Sequence, residues 1–145
     1  MKLSDFLSEA ERQKVQAAIK DAELKTSGEI RVHIESTCTT NVLDRAIAVF
    51  KEINMHLTKE RNGVLIYLSV KDQKLAIIGD KGINDVVPQG FWDEIKDAMV
   101  ADFKNRQFQK GLEEGIHKIG EKLIEYFPFN DDDKNELSND ISFGN

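Results

Sequence analysis

Oxygen-bearing side chains at the ends of apolar segments are the part of this sequence best suited to chemistry. Asp80 and Asp85 follow an apolar run, and Gly82 lies between them. Glu29 opens another apolar segment, and Asn62 precedes a third. Carboxylate, amide and backbone oxygens suit a hard cation, Ca²⁺ or Mg²⁺, because neither ion needs histidine or cysteine. These residue types therefore predict a divalent-cation site made by Asp80, Asp85, Glu29 and Asn62.

The loop that carries the two aspartates has its own constraints. Gly82 gives it backbone freedom, which would let carbonyl oxygens turn inward beside the carboxylates. An EF-hand is excluded, because a frame that starts at Asp80 has glycine at the third ligand position and lacks the final glutamate. A cation site must therefore be assembled from several segments. The alternative left open is that Asp85 only caps the turn before Pro88.

Hydrophobic periodicity indicates the elements that position these residues. Residues 9–24 show helical spacing behind a capping box, and residues 29–35 alternate like a half-buried strand. Residues 42–57 carry an apolar stripe and are long enough to cross over to a second strand at 64–68. Because such crossovers are nearly always right-handed and join parallel strands, these first two strands are expected to be parallel.

An antiparallel hairpin follows the crossover. Residues 64–68 and 75–78 are apolar and flank a short polar turn. Helical spacing then predicts a third helix around Trp92 to Phe103 and a fourth around Phe108 to Leu123. The expected fold class is a three-layer α/β sandwich, in which about four helices flank a small central mixed sheet of a βαβ unit plus the hairpin.

This topology places the candidate ligands at one edge of the sheet. Parallel pairing aligns the N-terminal ends of the first two strands, and antiparallel pairing adds the C-terminal end of the third. Glu29, Asn62, Asp80 and Asp85 are therefore expected to be neighbours, and Arg61 beside them is the nearest candidate for holding a phosphate oxygen.

Composition excludes several classes of partner. The chain has 145 residues, a formal net charge of -6 and one cysteine, so it has no internal disulfide and is expected to repel nucleic acids and anionic lipids. No apolar run approaches a membrane span, and no N-terminal signal pattern is visible, which predicts a cytoplasmic protein.

Residues 1–128 are expected to form one domain, followed by an acidic polar tail at residues 129–145 with little structure of its own.

Several short motifs resemble the TPM-domain family, which is typified by thylakoid-lumen and photosystem II repair proteins and by an accessory protein of a worm acetylcholine receptor. They are Ser27-Gly28-Glu29-Ile30, Asn62-Gly63-Val64-Leu65, the glycines Gly79 and Gly82, and Phe103 with Phe108 and Gly111-Leu112. The resemblance implies a TPM-like α/β sandwich, divalent-cation binding at loops near the strand ends, and an acid phosphatase activity proposed for some members. Many relatives read Gly-aromatic-Gly after the third strand, whereas this loop is longer and more acidic.

The residues themselves define what a phosphatase would require here. Cys38 and Arg45 have six residues between them, so the cysteine phosphatase signature is absent. The aspartyl-phosphatase pattern is absent as well. Metal-assisted hydrolysis of a small phosphate ester remains, with a cation held by Asp80, Asp85 and Glu29 and the phosphate held by Arg61. No general base or nucleophile stands out, so the enzymatic role rests on the resemblance.

Three functions therefore stay open at this point. The first is a module that binds Ca²⁺ or Mg²⁺ at the acidic edge, and the second is the metal-assisted phosphatase. The third is a non-catalytic protein-interaction domain, in which a partner protein contacts the exposed face of the first strand.

Overall fold

The predicted order of helices and strands is present in the computed structural model, which describes residue 3, residues 6–129 and residues 139–144. A capping box at Ser8 starts the first helix, because the Ser8 hydroxyl accepts from the Glu11 amide while the Glu11 carboxylate accepts from the Ser8 amide. The helices are α1 Glu9–Glu23, α2 Val42–Glu52, α3 Lys81–Asn84, α4 Asp93–Lys104 and α5 Phe108–Tyr126, and the strands are β1 Glu29–Glu35, β2 Gly63–Ser69, β3 Lys74–Gly79 and β4 Ser142–Gly144.

The sheet is mixed and has the order β3-β2-β1-β4. β1 and β2 are parallel, with Glu29 opposite Gly63, and β2 and β3 form the antiparallel hairpin. Both pairings confirm the predictions from the crossover and the polar turn. β4 was not predicted. It runs parallel to β1, with Ser142 opposite His33, and it lies in the segment expected to carry little structure. Residues 130–138 of the expected acidic tail, which include the aspartates at 131–133, lie outside the described residues.

Helices cover both faces of the sheet, which confirms the three-layer α/β sandwich. Ile30, Val32 and Ile34 of β1 pack in one cluster with apolar residues of α1, α4 and α5. Leu65 and Tyr67 of β2 pack in a second cluster with α2 on the opposite face. Every residue of β2 is buried, as expected for a central strand that is covered on both sides.

The prediction that β1 is half-buried was wrong. His33 and Glu35 are buried along with the apolar residues, and only Arg31 in the strand is partly exposed. The reason is that Arg45 of α2 and Tyr67 of β2 donate to Glu35, while Ser142 of β4 contacts His33. The face of β1 that a partner protein was expected to contact is therefore inside the molecule.

The second helix ends five residues earlier than predicted, at Glu52 instead of residue 57. Asn54 adopts a left-handed conformation with φ 64°, which stops the helix and which asparagine tolerates better than most residues. A single 3₁₀ turn, Met55–Leu57, follows. Among the described residues, no helix is long and apolar enough to cross a membrane.

Candidate functional site

Three of the four predicted ligands lie at one edge of the sheet. The Glu29 amide donates to the Asn62 carbonyl at 3.3 Å, and the Asp80 amide donates to the Gly63 carbonyl at 2.9 Å. Glu29 and Asp80 therefore flank Gly63 from opposite sides, and their Cα atoms are about 10 Å apart, two strand spacings. We call this edge, defined by Glu29, Asn62 and Asp80, the rim.

Asp80 is held by an arginine in this structure. Arg61 donates from Nε to Asp80 Oδ2 at 2.7 Å and from Nη2 to Oδ1 at 2.8 Å. Asp80 also caps α3, since Oδ1 accepts from the Lys81 amide at 2.7 Å. Both oxygens are thus engaged, and a cation at Asp80 would have to displace a bidentate guanidinium. The same pairing occupies the guanidinium face of Arg61 that was expected to hold a phosphate.

Asp85 lies at the C-terminal end of α3 and is exposed. Its carboxylate accepts from Lys81 Nζ at 2.7 Å, one helical turn away. Within the described residues, no group of three or more aspartate, glutamate, histidine or cysteine side chains is placed to hold a metal ion. The structure therefore brings Glu29 and Asn62 together and gives Asp80 and Asp85 cationic partners of their own.

The loop after β3 folds as a helix, so the expectation of inward-turned carbonyl oxygens at Gly82 was wrong. Gly82 lies inside α3 and donates its amide to the Arg61 carbonyl at 2.9 Å. A Cβ at this position would lie 2.3 Å from the Glu60 carbonyl oxygen and 2.7 Å from that of Arg61. Glycine is required here because two stretches of backbone meet.

Replacing Gly82 with alanine should therefore lower the free energy of unfolding by about 1–3 kcal/mol, because backbone has to move to relieve the clash. Gly115 is the matched control, since its Cβ would meet Met99 Sδ at 2.4 Å, the far end of a flexible side chain. Urea denaturation of both variants measures the difference. Equal losses for Gly82→Ala and Gly115→Ala would contradict the backbone contact.

Glu23, which the sequence analysis did not select, also reaches the rim. It ends α1, and its Oε2 accepts from the Ile30 amide at 2.9 Å. This amide needs a side-chain partner because β4 pairs only with the other half of β1, from His33 to Glu35. Glu23 Oε1 is buried and has no hydrogen-bond partner among the described residues.

The electrostatic state of Glu23 is unusual. Burial raises the pKa of Glu23, the Ile30 amide lowers it in part, and the negative charge of Glu29 raises it further, to about 8. Two carboxyl groups therefore share this end of the sheet, and one of them holds a proton at neutral pH. A sequence signal existed, because a glutamate in the last turn of a helix opposes the helix dipole and needs another reason to be there.

Further side-chain oxygens lie at this end of the sheet, around Glu60. Ser27 donates to Glu60 Oε2 at 3.0 Å, and the buried Asn62 amide donates to the same oxygen at 3.1 Å. Apart from the Asn62 nitrogen, the polar side-chain atoms of this group are oxygens. Such a set can bind a hard cation or a proton, but it contains neither a thiol nor an imidazole for zinc.

A second polar cluster, also missed by sequence analysis, lies beneath α2 at the opposite end of β1. Glu35 is fully buried and accepts from Arg45 Nε at 3.0 Å and from the Tyr67 hydroxyl at 2.5 Å. Arg45 Nη2 also donates to Glu35, and Arg45 Nη1 donates to Glu52 at 3.2 Å. Burial alone would raise the pKa of Glu35, but hydrogen bonds from Arg45, Tyr67 and His33 lower it to about 2.

His33 links this cluster to β4. Its Nε2 lies 3.1 Å from Glu35 Oε1, and its Nδ1 lies 2.7 Å from Ser142 Oγ. Because the ionised carboxylate can only accept, Nε2 carries the proton and Nδ1 accepts from the serine hydroxyl. Burial lowers the pKa of His33 and keeps the ring neutral at pH 7. The cluster is internally satisfied and serves to fasten β1, α2 and β4 together.

Comparison with known proteins places the fold in a family. The BA42 protein of the psychrophilic bacterium Bizionia argentinensis is 50% identical, with 99% of each chain covered and a TM-score of 0.92. The N-terminal domain of a P. gingivalis protein is 20% identical over 84% of this chain and 79% of that one, with a TM-score of 0.66. The N-terminal domain of cg2496 from Corynebacterium glutamicum is 14% identical over 81% and 74%, with a TM-score of 0.64.

The two more distant similarities show the fold alone. No curated protein matches the chain. A family model described as the TPM domain matches residues 1–122, which is most of the 145 residues. The chain therefore belongs to the TPM-domain family.

Proposed function

We propose that this TPM domain binds a divalent cation, Ca²⁺ or Mg²⁺, at the rim through the carboxylates of Glu23 and Glu29. The observation that carries the proposal is the buried Oε1 of Glu23, which has no hydrogen-bond partner among the described residues and lies beside a second carboxyl group. A buried, unpaired oxygen costs about 1–3 kcal/mol, and a cation would remove that cost.

Burial does most to raise the pKa of Glu23, and the negative charge of Glu29 adds to it, which supports a place for a positive charge between the two groups. A buried carboxyl group beside a like charge favours its protonated form, so Glu23 takes up a proton. A divalent cation would displace that proton and restore both charges. With only two acidic ligands, water and backbone carbonyls would complete the coordination, which suits Ca²⁺ and Mg²⁺.

This proposal keeps part of the ligand set expected from the sequence and replaces the rest. Glu29 remains a ligand, and the Asn62 side-chain oxygen lies on the same buried edge. Asp80 and Asp85 are replaced by Glu23, because each aspartate already has a cationic partner at 2.7 Å. The bound cation would tie the end of α1 to the start of β1.

Phosphatase activity is the alternative that the family resemblance suggests. It would need a cationic group at the rim to hold the substrate, but the Arg61 guanidinium donates from two nitrogens to Asp80. Ser27 donates to the Glu60 carboxylate, but among the described residues that form the site there is no cysteine, and no histidine that could act as a general base. We therefore propose cation binding without turnover.

Titration of chelator-treated protein with CaCl₂ and MgCl₂, followed by calorimetry and by backbone amide shifts, tests the proposal. The Glu23, Glu29 and Ile30 amides should shift, and Glu29→Gln should weaken binding by at least about tenfold. Asp85→Asn, an exposed acidic control, should bind like the wild type.

Two outcomes would overturn this function. The first is that the amides of Asp80 and Asp85 shift while those of Glu23 and Glu29 do not. The second is cation-dependent hydrolysis of p-nitrophenyl phosphate that is lost in Glu29→Gln, which would assign catalysis to the rim.

A further inference from the structure

The outer edge of β3 borders a cleft of about 430 Å³ that is separate from the carboxylates of Glu23 and Glu29. Its walls come from both faces of the sheet. Ile77 and Trp92 belong to the cluster that packs with α4 and α5, whereas Phe50 and Ile78 pack on the side of α2. The cleft therefore crosses the open edge of the sheet instead of lying on one face.

This edge has unused backbone groups. β3 is the last strand of the sheet on its side, and in the described residues no strand pairs with its outer edge. The Asp80 amide bonds inward to Gly63, so the alternation of an antiparallel pair turns the backbone groups of Gly79 and Ile77 outward. The Gly79 carbonyl accepts from the Asn84 side chain at 3.0 Å, which agrees with its pointing away from β2.

Free strand edges are normally protected by charge, proline or a covering segment. The stretch of β3 that borders the cleft reads Ile77-Ile78-Gly79 and has none of these features in its own sequence. On α2, Ile47 lines the cleft with 49% of its surface exposed, and Leu43 one turn earlier is 51% exposed. The cleft thus continues into an exposed apolar strip on the helix.

The cleft of this acidic chain has one lysine without a counter-charge among the described residues. The chain carries a formal charge of -6, yet Lys51, Arg61 and Lys81 line the cleft. Arg61 is paired with Asp80 and Lys81 with Asp85, which leaves Lys51. Lys51 is exposed and has no ion-pair partner among the described residues. The Nε1 of Trp92, also in the cleft wall, is a buried donor without an acceptor in the described part of the chain.

We propose that the edge of β3 binds an extended, acidic segment of a partner protein, which adds to the sheet as a further strand. Its backbone pairs with the outward amide and carbonyl of Ile77, since strand addition takes its affinity from main-chain hydrogen bonds. Its side chains alternate between the Ile47 side and the Trp92 side, because strand side chains alternate in direction. An acidic side chain meets Lys51.

A synthetic peptide of alternating valine and glutamate, capped at both ends, provides the probe. Trp92 is the only tryptophan, so its fluorescence reports occupation of the cleft. Saturation with this peptide should change that fluorescence and slow hydrogen exchange of the Ile77 amide. Lys51→Glu should weaken binding at least about fivefold. Lys14→Glu, an exposed charge reversal on α1, should leave the affinity within about twofold.

Each of the contrary outcomes overturns the proposal. Unchanged Trp92 fluorescence means that the cleft does not bind the peptide. Binding without protection of the Ile77 amide excludes strand addition. If Lys51→Glu and Lys14→Glu weaken peptide binding equally, the peptide is attracted only by the total charge of the protein. If free N-acetylglutamate binds as tightly as the peptide, the cleft is a pocket for small anions. The rim variant Glu29→Gln should bind the peptide normally, so failure of the cation site and failure of the cleft are distinguishable.

Discussion

Replacing Arg45 with methionine is expected to lower the free energy of unfolding at pH 7 by about 2–4 kcal/mol, because it leaves the charge of Glu35 buried without its cation. This decrease in the free energy of unfolding is smaller than that expected for a fully buried ion pair, because 29% of the Arg45 side chain is exposed while Glu35 is fully buried. Urea denaturation followed by circular dichroism measures the change.

Two further variants make the test of this ion pair specific. Arg12→Met removes the surface pair of Arg12 with Glu9 and should cost less than about 0.5 kcal/mol. Adding Glu35→Gln to Arg45→Met should recover much of the loss, because a neutral amide needs no counter-charge. If Arg45→Met is no more costly than Arg12→Met, the buried pair does not stabilise the fold as described.

The pH dependence of this contribution follows from the lowered pKa of Glu35. The unfolded chain has the ordinary value of 4.5 and the folded protein about 2, so the contribution is fully present above about pH 4.5 and is lost as the pH falls through about 2. In Arg45→Met the carboxyl group can protonate more readily. The gap between wild type and variant should therefore narrow as the pH is lowered from 7 towards 4.

Glu23 should produce the opposite pH dependence in the metal-free protein. Its folded pKa of about 8 lies above the ordinary 4.5, so the folded state keeps a proton that the unfolded chain has already released. The contribution of Glu23 to the free energy of unfolding is fully present below about pH 4.5 and is lost as the pH rises to about 8, by about 5 kcal/mol at most.

The Glu23→Gln variant mimics the protonated side chain at every pH. It should remove most of this decrease, so its stability should increasingly exceed that of the wild type as the pH rises from about 4.5 to about 8. Urea denaturation at a series of pH values in the presence of chelator measures the difference. The control is Glu121→Gln on α5, whose exposed carboxylate contacts His117. If Glu23→Gln has the same pH profile as wild type, Glu23 is not the buried proton acceptor described here.

Local patterns in the sequence were sufficient to predict most of the framework. The alternation at 29–35 gave the bounds of β1 as they are observed, and the uninterrupted apolar run in β2 gave its central position. β4 could not be predicted, because Ser142–Gly144 has no apolar periodicity and depends on pairing with β1, far away in the chain. The short α3 depends on a tertiary contact, in which Gly82 fits against the backbone of Arg61.

The candidate site could be predicted only in part. Topology placed Glu29, Asn62 and Asp80 at one edge, but it could not show that Arg61 would turn both of its donors onto Asp80. Glu23 was missed because charged residues near helix ends are usually solvated. Glu23 accepts from the Ile30 amide because β4 pairs only with His33 to Glu35 and leaves the first half of β1 without a strand on that side.

The buried cluster of Glu35 was missed for a related reason. The alternation of β1 placed His33 and Glu35 on a polar face, which was interpreted as a solvent face. The apolar, non-alternating β2 already indicated that both faces of the sheet were covered. Because neighbouring strands share those layers, the polar face of β1 had to be covered too, and its charges needed internal partners.

The most direct test of the proposed cation site is an NMR titration of the Glu23 side-chain carboxyl carbon with pH, without and with saturating Ca²⁺. A titration midpoint at about pH 8 is expected in the metal-free protein. Bound Ca²⁺ should move that midpoint down by at least about two pH units, since the cation favours the ionised carboxylate. A midpoint near the ordinary 4.5 without metal, or one that Ca²⁺ leaves unchanged, would contradict a cation site built on Glu23 and Glu29.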